Sequence, residues 1–236
     1  GFIGTNLVRS LIESDKQILI VEELDRYTKK FENIKNLEIL DCLDHNIFLK
    51  DLHNGKYVNK IDQIFHLGAC SKTTEPDRDY IMDVNLNYSK KLLEYSANNN
   101  IDMIYASSAS VYGDGTIFKE NSDNESSLNH YSESKLLFDN HVRENITKIR
   151  SQIVGMRYFN VYGPYEQHKE VMSSVAYHFY NQFKQHGMLK LFRGSHGYDD
   201  GEQRRDFVYV KDTIDIKLWF MAVSYTHLRA HETYPH

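Results

Sequence analysis

Tyr131 and Lys135 are two side chains that can transfer a proton if they lie beside a hydride carrier. They are four residues apart in a segment that reads as a helix, so they lie one turn apart on the same face. On a face that lines a cofactor cleft, the lysine ammonium favours the phenolate, and a phenol of pKa about 10 becomes a base close to neutral pH. The alternative is two unrelated solvent-facing side chains on an amphipathic helix, because this spacing often occurs by chance.

Ser108 is a third candidate, since it follows a short apolar run over residues 101–106 that predicts a strand. Ligands bind at the carboxyl ends of strands in open α/β sheets. A serine hydroxyl at that place can donate a hydrogen bond to a substrate oxygen while Tyr131 exchanges its proton. The order of strand end, serine and Tyr-x-x-x-Lys helix therefore favours a catalytic interpretation of all three residues.

The stretch Gly1-Phe2-Ile3-Gly4 has the form of the last part of a glycine-rich turn that binds a pyrophosphate. Glu22 and Glu23 follow the next predicted strand, about twenty residues on, where an acid contacts the ribose of NAD. Basic residues close behind them can instead bind the 2′-phosphate of NADP, or form a solvated charged loop: Arg26, Lys29 and Lys30. The local pattern leaves the choice between the two cofactors open.

Short apolar runs alternate with helical patterns along the chain and predict parallel β-α units. The predicted strands are residues 17–21, 36–40, 63–67, 101–106 and 152–157. The predicted helices are residues 5–14, 45–54, 79–99, 130–146, 171–186 and 211–222, with a further strand at 207–210. The expected fold class is α/β, with a doubly wound parallel sheet of Rossmann type and, after residue 160, a smaller and irregular substrate lobe.

Both ends of the chain depart from that expected fold. A Rossmann sheet has a strand before its first glycine turn, and the chain begins at Gly1, so we expect the first strand to be missing. From about residue 223 the sequence resembles one reading frame of an adapter used in DNA library preparation. We therefore expect a dinucleotide-binding domain over 1–160 that lacks its first strand, a partial substrate-binding lobe over 161–222, and a non-native tail over 223–236.

The amino-acid composition indicates the class of protein and excludes some kinds of partner. With 236 residues, 41% hydrophobic and 26% charged, the chain is typical of a soluble globular protein. A net charge of −5 without a basic stripe argues against a nucleic-acid partner. No apolar run approaches the roughly 20 residues that cross a bilayer, so no membrane partner is expected. Cys42 and Cys70 have neither metal-ligand spacing nor a disulfide framework, which predicts a cytoplasmic protein without a metal site.

Several stretches complete a set of motifs in a fixed order: Gly1–Gly4, Ser107–Gly113, Tyr131 with Lys135, Arg157–Pro164 and Arg205–Asp212. This set resembles the extended short-chain dehydrogenases/reductases that act on nucleotide sugars. The resemblance implies a Rossmann fold and hydride chemistry on a nicotinamide cofactor. The 4,6-dehydratases of that group carry an Asp-Glu pair where this chain has Ala109-Ser110, which argues against a dehydratase.

Longer stretches narrow the resemblance. Residues 66–75, 163–178 and 189–195 are similar to those of the ADP-glyceromanno-heptose 6-epimerase family. The implied reaction inverts C6 of an ADP-linked heptose by transient oxidation to a ketone and hydride return, for lipopolysaccharide core heptose. Two faces of one carbon require two acid/base groups, which the resemblance places at Tyr131 and Lys169.

The same resemblance implies the binding residues and the cofactor. Cofactor contacts fall on Gly1, Phe2, Ile3, Gly4, Glu22, Glu23, Lys29, Leu67, Gly68, Ala69, Cys70, Ser71, Asn85, Tyr131 and Lys135. Substrate contacts fall on Ser108, Asn160, Lys169, His178, Phe192, Arg193, Gly194, Ser195 and Arg205. NADP is the expected cofactor and NAD the alternative, because Glu23 and His45 depart from the family pattern. The full-length protein is expected to be a homo-oligomer.

Other outcomes remain open. Another nucleotide-sugar epimerase or reductase would share Tyr131 and Lys135. A cofactor-binding module without catalysis is a second alternative, against which Ser108, Tyr131 and Lys135 argue. A chain without its central first strand leaves strand edges and apolar faces uncovered, so we expect this polypeptide by itself to be partly folded and inactive.

Overall fold

The computed structural model describes residues 1–23, 31–195 and 197–223, so Lys29 and residues 224–236 lie outside the described part. The strands are β1 Leu19–Glu22, β2 Asp41–Asp44, β3 Gln63–His66, β4 Asp102–Ser108, β5 Ile153–Tyr158, β6 Asn160–Tyr162 and β7 Phe207–Tyr209. The helices are α1 Phe2–Ile12, α2 His45–His53, α4 His130–Asn145, α5 Val175–His186 and α6 Val210–Ala222. Helix α3 runs through Arg78–Ile81, the π-helical turns Met82–Asn87 and then Tyr88–Asn99.

Parallel strand pairs connected through helices confirm the predicted α/β class. In the described residues β1 pairs with β2, β4 lies between β3 and β5, and β6 pairs with β7, all of them parallel. Strand β4 is the central strand of its sheet. Its residue Ser108 pairs with Tyr158 of β5, and its residue Tyr105 pairs with His66 of β3. The sheet is interrupted between β1 and β3, where a cavity lies in place of strand pairing.

Two apolar clusters hold the helices against these strands. The larger one packs Phe48, Leu92, Met103, Phe138 and Ile149 between β4 and the helices α2, α3 and α4. The other packs α1 against α6, through Leu7, Val8, Leu11, Ile18 and Ile214. Burying each such side chain stabilises the fold by about 1.5–3 kcal/mol. The clusters therefore fix α4 on one side of the cavity and α1 on the other.

Two predicted elements are misplaced. The strand predicted at 36–40 is wrong, because pairing with β1 begins only where Leu40 N donates to Ile18 O, and the strand runs over Asp41–Asp44. The helix predicted at 171–186 begins at Val175, since the chain from Gln167 to Met172 forms tight 3₁₀ turns in which Glu170 has a φ of 50°. The short strand β6 was not predicted.

Among the described residues, no helix is both long and apolar enough to cross a membrane. The same residues contain no group of three or more His, Cys, Asp or Glu side chains placed to hold a metal ion.

Candidate active site

A cavity of about 2530 Å³ lies at the carboxyl ends of β3 and β4 and extends into the interruption between β1 and β3. Its lining draws predicted site residues from every part of the chain. They are Gly1, Phe2, Ile3, Gly4, Glu22, Glu23, Leu67, Gly68, Ala69, Cys70, Ser71, Ser108, Tyr131, Lys135, Asn160, Lys169, Phe192, Arg193, Ser195 and Arg205. Both predicted acid/base residues, Tyr131 and Lys169, therefore line the same cavity.

Helix α4 presents Tyr131 and Lys135 from one face. A capping box starts the helix: the Asn129 side chain accepts from the Ser132 backbone at 2.9 Å, and the Ser132 hydroxyl accepts from the Asn129 backbone at 3.1 Å. Lys135 Nζ lies 5.9 Å from the centroid of the Tyr131 ring and donates to the carbonyl of Ala106 at 2.8 Å. The predicted one-turn relation is therefore present, with Lys135 tied to strand β4.

Burial shifts the pKa values of Tyr131 and Lys135. For Tyr131 the shift is opposite to the lowered pKa expected from the sequence. It raises the pKa of Tyr131 above its ordinary value, and a hydrogen bond with Ser108 opposes the rise only in part. Burial also lowers the pKa of Lys135 to about 8, while Asp139 acts in the opposite direction. These shifts do not favour the phenolate that the sequence led us to expect near neutral pH, and the phenol form can donate a proton.

Ser108 is held with its hydroxyl proton available. Its Oγ accepts from the backbone of Ser110 at 3.2 Å and from the Ser110 hydroxyl at 2.9 Å. Both bonds use acceptor lone pairs of Ser108 and leave its own O–H as a donor. The hydroxyl can therefore donate to the oxygen of Tyr131 or to a substrate oxygen beside it.

A buried carboxylate, Asp139, ties strand β4 to helix α4 beneath the catalytic pair. It accepts from the hydroxyl of Tyr105 at 3.0 Å and from the hydroxyl of Ser107 at 2.8 Å. Arg157 of β5 donates to Asp139 at 3.3 Å and also to Glu125. Because these bonds join β4, β5 and α4, they fix the end of β4 relative to the helix.

Lys169 reaches the cavity from the irregular segment after β6. Its ammonium lies 4.0 Å from Glu166 Oε2 and 5.3 Å from the centroid of the Phe2 ring. Burial lowers the pKa of Lys169, and the Glu166 carboxylate opposes this change. A lysine with a lowered pKa releases its proton more readily near neutral pH, which is the property that a second acid/base group needs.

Glu166 organises the segment that carries Lys169 and is only 2% exposed. Its carboxylate accepts from the backbone of Gly163 at 3.3 Å and from both the backbone and the hydroxyl of Ser174 at 2.7 Å. Tyr165 and Glu170 have φ values of 73° and 50°, which cost on the order of 1–3 kcal/mol for side-chain-bearing residues. The bonds to Glu166 help to offset that cost.

The first turn of α1 supplies donors suited to a pyrophosphate. The first backbone bond into this helix runs from Thr5 N to Gly1 O at 2.9 Å, and no side chain caps its start. Phe2, Ile3 and Gly4 line the cavity, and their amides come before that first bond of the helix. Free amides at a helix start bind anions, so these residues fit the diphosphate of a dinucleotide.

Some predicted contact residues do not line the cavity. Lys29 lies outside the described residues. Asn85 is buried behind the wall, where its side chain accepts from Cys70 N at 2.8 Å and donates to Cys70 O at 3.0 Å. It therefore shapes the cofactor-facing segment without reaching the cavity. His178 lies on α5 and Gly194 lies in the loop that follows. Neither residue lines the cavity.

Sequence reasoning missed four polar side chains that support the site: Asn33, Glu125, Asp139 and Glu166. Most of their partners are distant in sequence or belong to the backbone, so no spacing rule points to them. Only Glu166 carries a local signal, because it precedes Lys169 by three residues. Such pairs are common on solvated helices, which makes that signal weak.

Comparisons with known proteins agree with this geometry. The NAD dependent epimerase/dehydratase family matches residues 1–232. A Thiobacillus denitrificans protein named ADP-L-glycero-D-manno-heptose-6-epimerase is 48% identical over 222 residues, which cover 94% of this chain and 67% of that protein. A protein of the same name from Alkalilimnicola ehrlichii is 44% identical, with 94% of this chain and 69% of that protein covered. The chain thus spans about two thirds of the length of these curated relatives.

Solved structures of epimerases also resemble this chain. The ADP-L-glycero-D-manno-heptose-6-epimerase of Helicobacter pylori is 30% identical and has a TM-score of 0.77, covering 92% of this chain and 68% of that chain. The UDP-glucose 4-epimerase of Thermotoga maritima has a TM-score of 0.78 at 23% identity, covering 94% of this chain and 71% of that chain. The second likeness is one of fold alone.

The fold and the family match define an enzyme of the Rossmann class that uses a nicotinamide cofactor. The chain belongs to the NAD dependent epimerase/dehydratase family, and its relatives make it an epimerase. The fold class predicted from sequence and the resemblance to the heptose epimerase family are both confirmed.

Proposed function

We propose that the protein inverts C6 of the heptose in an ADP-linked glycero-manno-heptose, for the supply of lipopolysaccharide core heptose. The names of the relatives at 48% and 44% identity support this substrate. The observation that carries the proposal is the meeting of Tyr131 and Lys169 in one cavity, although they come from α4 and from the segment after β6. Inversion through a ketone needs a proton to leave the C6 oxygen as the alcohol is oxidised and to return to it, with the sugar turned, as the ketone is reduced. Tyr131 and Lys169 are two groups able to exchange that proton.

The chain's own residues take the following roles. Ser108 donates a hydrogen bond to the substrate oxygen, and Tyr131 exchanges a proton with it on one face of the carbon. The ammonium of Lys135, which donates to the carbonyl of Ala106, acts electrostatically on Ser108 and Tyr131 and helps to orient them. Lys169 exchanges the proton on the opposite face after the sugar has turned. A bound nicotinamide supplies the hydride acceptor and donor for the oxidation to a ketone and its reversal.

The loop side of the cavity is proposed to bind the nucleotide and sugar. Arg193 and Arg205 line the cavity and offer the planar geometry that suits a diphosphate. Asn160 is positioned by a bond from its side chain to the carbonyl of Asp206 at 3.0 Å. Phe192 and Ser195 complete this wall. His178 and Gly194 are proposed to contribute through the shape of the same lobe.

The decisive experiment uses the full-length gene product and either C6 epimer of the ADP-heptose. NMR should show both starting materials converging on one epimer ratio. The Lys169→Met variant should keep its bound cofactor and lose most of this conversion. No conversion of the ADP-heptose, together with turnover of a UDP-hexose, would overturn the proposed substrate.

We propose NADP as the cofactor, with Lys29 as a contact of its 2′-phosphate and NAD as the alternative. The case for NAD is the carboxylate of Glu22 at the end of β1, which accepts from the nitrogen of Gly1 at 3.2 Å and from that of Glu23 at 3.1 Å. Mass analysis of cofactor released from the full-length gene product separates the two. NADP is expected, and Lys29→Glu should then weaken NADP more than NAD. Release of NAD alone would refute the choice.

The organisation of the protein is also proposed: a dinucleotide-binding domain over 1–160 and a substrate-binding lobe over 161–222, in a cytoplasmic homo-oligomer. The cavity between the strand ends and the later loops supports that division. Limited proteolysis should cut first in the exposed loop between α5 and β7 and leave the domain over 1–160 intact, and sedimentation of the full-length gene product should give a multiple of the monomer mass. First cleavage inside β4 or α4, or a monomeric mass, would contradict this organisation.

A further inference from the structure

Asn33 is a buried polar residue whose side-chain amide forms hydrogen bonds to one segment that is distant in sequence. It is 5% exposed and lies on the chain between β1 and β2. Its Nδ2 donates to the carbonyl of Tyr165 at 3.1 Å and to His168 Nδ1 at 3.3 Å. Its Oδ1 accepts from Gln167 Nε2 at 2.6 Å. The two amide hydrogens and the amide oxygen are thus all bonded to residues between 165 and 168.

This set of bonds ends directly before Lys169. An amide N–H can only donate, so His168 Nδ1 is the acceptor of this bond. Arg9 of α1 adds to the same junction, since it donates to the carbonyl of Asn33 at 3.3 Å and lies 4.5 Å from the centroid of the Tyr165 ring. The β1–β2 crossover and α1 therefore hold the segment that carries Lys169.

The bonds made by Glu166 do not replace those of Asn33. Glu166 ties the segment to Gly163 and Ser174, which are neighbours within the same part of the chain. Those bonds shape the segment, but they do not set its position relative to the first half of the cavity. Asn33 makes three of the bonds that supply that connection, the one to Tyr165 across 132 residues of sequence, and Asn6 of α1 adds one to the carbonyl of Pro164 at 3.0 Å.

We propose that Asn33 is a positioning residue that holds Lys169 at the reacting carbon, by fixing residues 165–168 against the wall that binds the cofactor. The inference rests on the proposed function for the role of Lys169, although the contact itself does not depend on it. A shift of about 1 Å in a reacting group can lower a rate about 100-fold. Loss of the Asn33 amide should therefore lower kcat about 10- to 100-fold with little change in the KM for the nucleotide sugar.

The test compares Asn33→Leu with Asn145→Leu in the full-length gene product. Within the described ranges Asn145 makes one side-chain bond, to His141 O at 2.8 Å at the end of α4, and it serves as the control for the same substitution. Gln167→Leu removes one bond from an exposed partner and keeps the buried amide, so it remains informative if Asn33→Leu does not fold. We expect the kcat losses to rank Asn33→Leu above Gln167→Leu, with Asn145→Leu unchanged.

A double variant separates positioning from a structural role. If Asn33 acts through Lys169, then Asn33→Leu introduced into Lys169→Met should reduce the residual kcat by less than twofold, because the group that it positions is already absent. Multiplication of the two losses would refute the proposal.

A second readout does not need the substrate. Competitive acetylation followed by mass spectrometry reports the pKa of Lys169 in each variant. Burial holds this pKa below its ordinary value, so a segment released from Asn33 should expose the lysine and raise it. An unchanged Lys169 pKa in both Asn33→Leu and Gln167→Leu would overturn the proposal. Failure of the wild-type protein to convert the heptose would overturn only the proposed function.

Discussion

The two proposed proton-transfer groups are held in opposite ways. Tyr131 lies on a regular, capped helix that packs on a three-stranded parallel sheet and is tied to it by the buried Asp139. Lys169 lies on an irregular segment between Tyr165 and Glu170, whose backbones have positive φ, and individual side chains hold it. Periodic structure positions the first group, and specific hydrogen bonds position the second. Damage on the Tyr131 side should therefore appear mainly as lost stability, and damage on the Lys169 side mainly as lost rate.

The largest expected effects come from removing either group itself. Tyr131→Phe and Lys169→Met should each lower kcat about 10²- to 10⁴-fold, because each removes one acid/base group and leaves the cavity otherwise intact. NMR of epimer conversion measures this, with thermal melting to confirm folding. Matched controls are Lys148→Met in an exposed turn and Tyr95→Phe, whose hydroxyl has no hydrogen-bond partner within the described residues. Full turnover in either active-site variant would remove that residue from the mechanism.

Two buried carboxylates provide the direct comparison between the regions. Asp139→Asn removes the charge that pairs with Arg157 and should lower the free energy of unfolding by about 3–5 kcal/mol. Glu166→Gln places an amide NH₂ where the carboxylate meets only donors and should lower it by about 1–3 kcal/mol. The order should reverse for kcat in the surviving folded protein, because Glu166 shapes the segment of Lys169. Urea denaturation measures the free energy of unfolding, and turnover measures kcat. If the same variant were the more damaged in both measurements, the proposed difference between the two regions would be wrong.

The same contrast explains what the sequence could predict. The apolar runs and the Tyr-x-x-x-Lys spacing belong to periodic elements, so α4, β4 and the meeting of Ser108 with Tyr131 could be predicted. The strand at 36–40 was misplaced because hydrogen-bonded turns continue to Leu37, and the pairing register is set by the partner strand. Lys169 was found only through family resemblance. Its supports, Asn33 and Glu166, act through contacts that no local spacing encodes.

Buried lysines make the stability of the protein depend on pH. Lys217 of α6 is fully buried 4.7 Å above the ring of Tyr158 at the end of β5, and its single hydrogen bond among the described residues goes to the carbonyl of Thr213 at 3.1 Å. Burial lowers the pKa of Lys217 to about 7 and that of Lys135 to about 8. Between these values and about 10.5, the unfolded chain binds more protons, so the free energy of unfolding should rise with pH.

Lys217→Met tests this dependence. Each lysine contributes a slope of up to about 1.4 kcal/mol per pH unit within its window, and the methionine variant should lose the contribution of Lys217. The variant should therefore exceed the wild type in stability at pH 7 and approach it near pH 10. Denaturation at several pH values is the measurement. Parallel wild-type and variant curves would mean that Lys217 titrates normally in the folded protein.

The smallest expected effect tests whether the strain beside Lys169 matters. Glu170 has a φ of 50° and a ψ of −119°, a conformation that glycine adopts readily and other residues do not. Glu170→Gly should raise the free energy of unfolding by about 1 kcal/mol. Asn100→Gly, at a helix end with a φ of 53° and a ψ of 43°, is the matched control and should change it less, because asparagine tolerates that conformation.

The rate of the Glu170→Gly variant carries the stronger argument. A glycine relieves strain and also widens the range of conformations open to the segment before α5. If hydrogen bonds to Asn33 and Glu166 alone fix Lys169, kcat should stay within about twofold of the wild type, because those bonds remain. A gain in stability accompanied by a large loss in kcat would show instead that the strained backbone itself aims the lysine. In that case the irregular segment would be positioned by its chain conformation, as α4 is, and the contrast between the two regions would be one of degree.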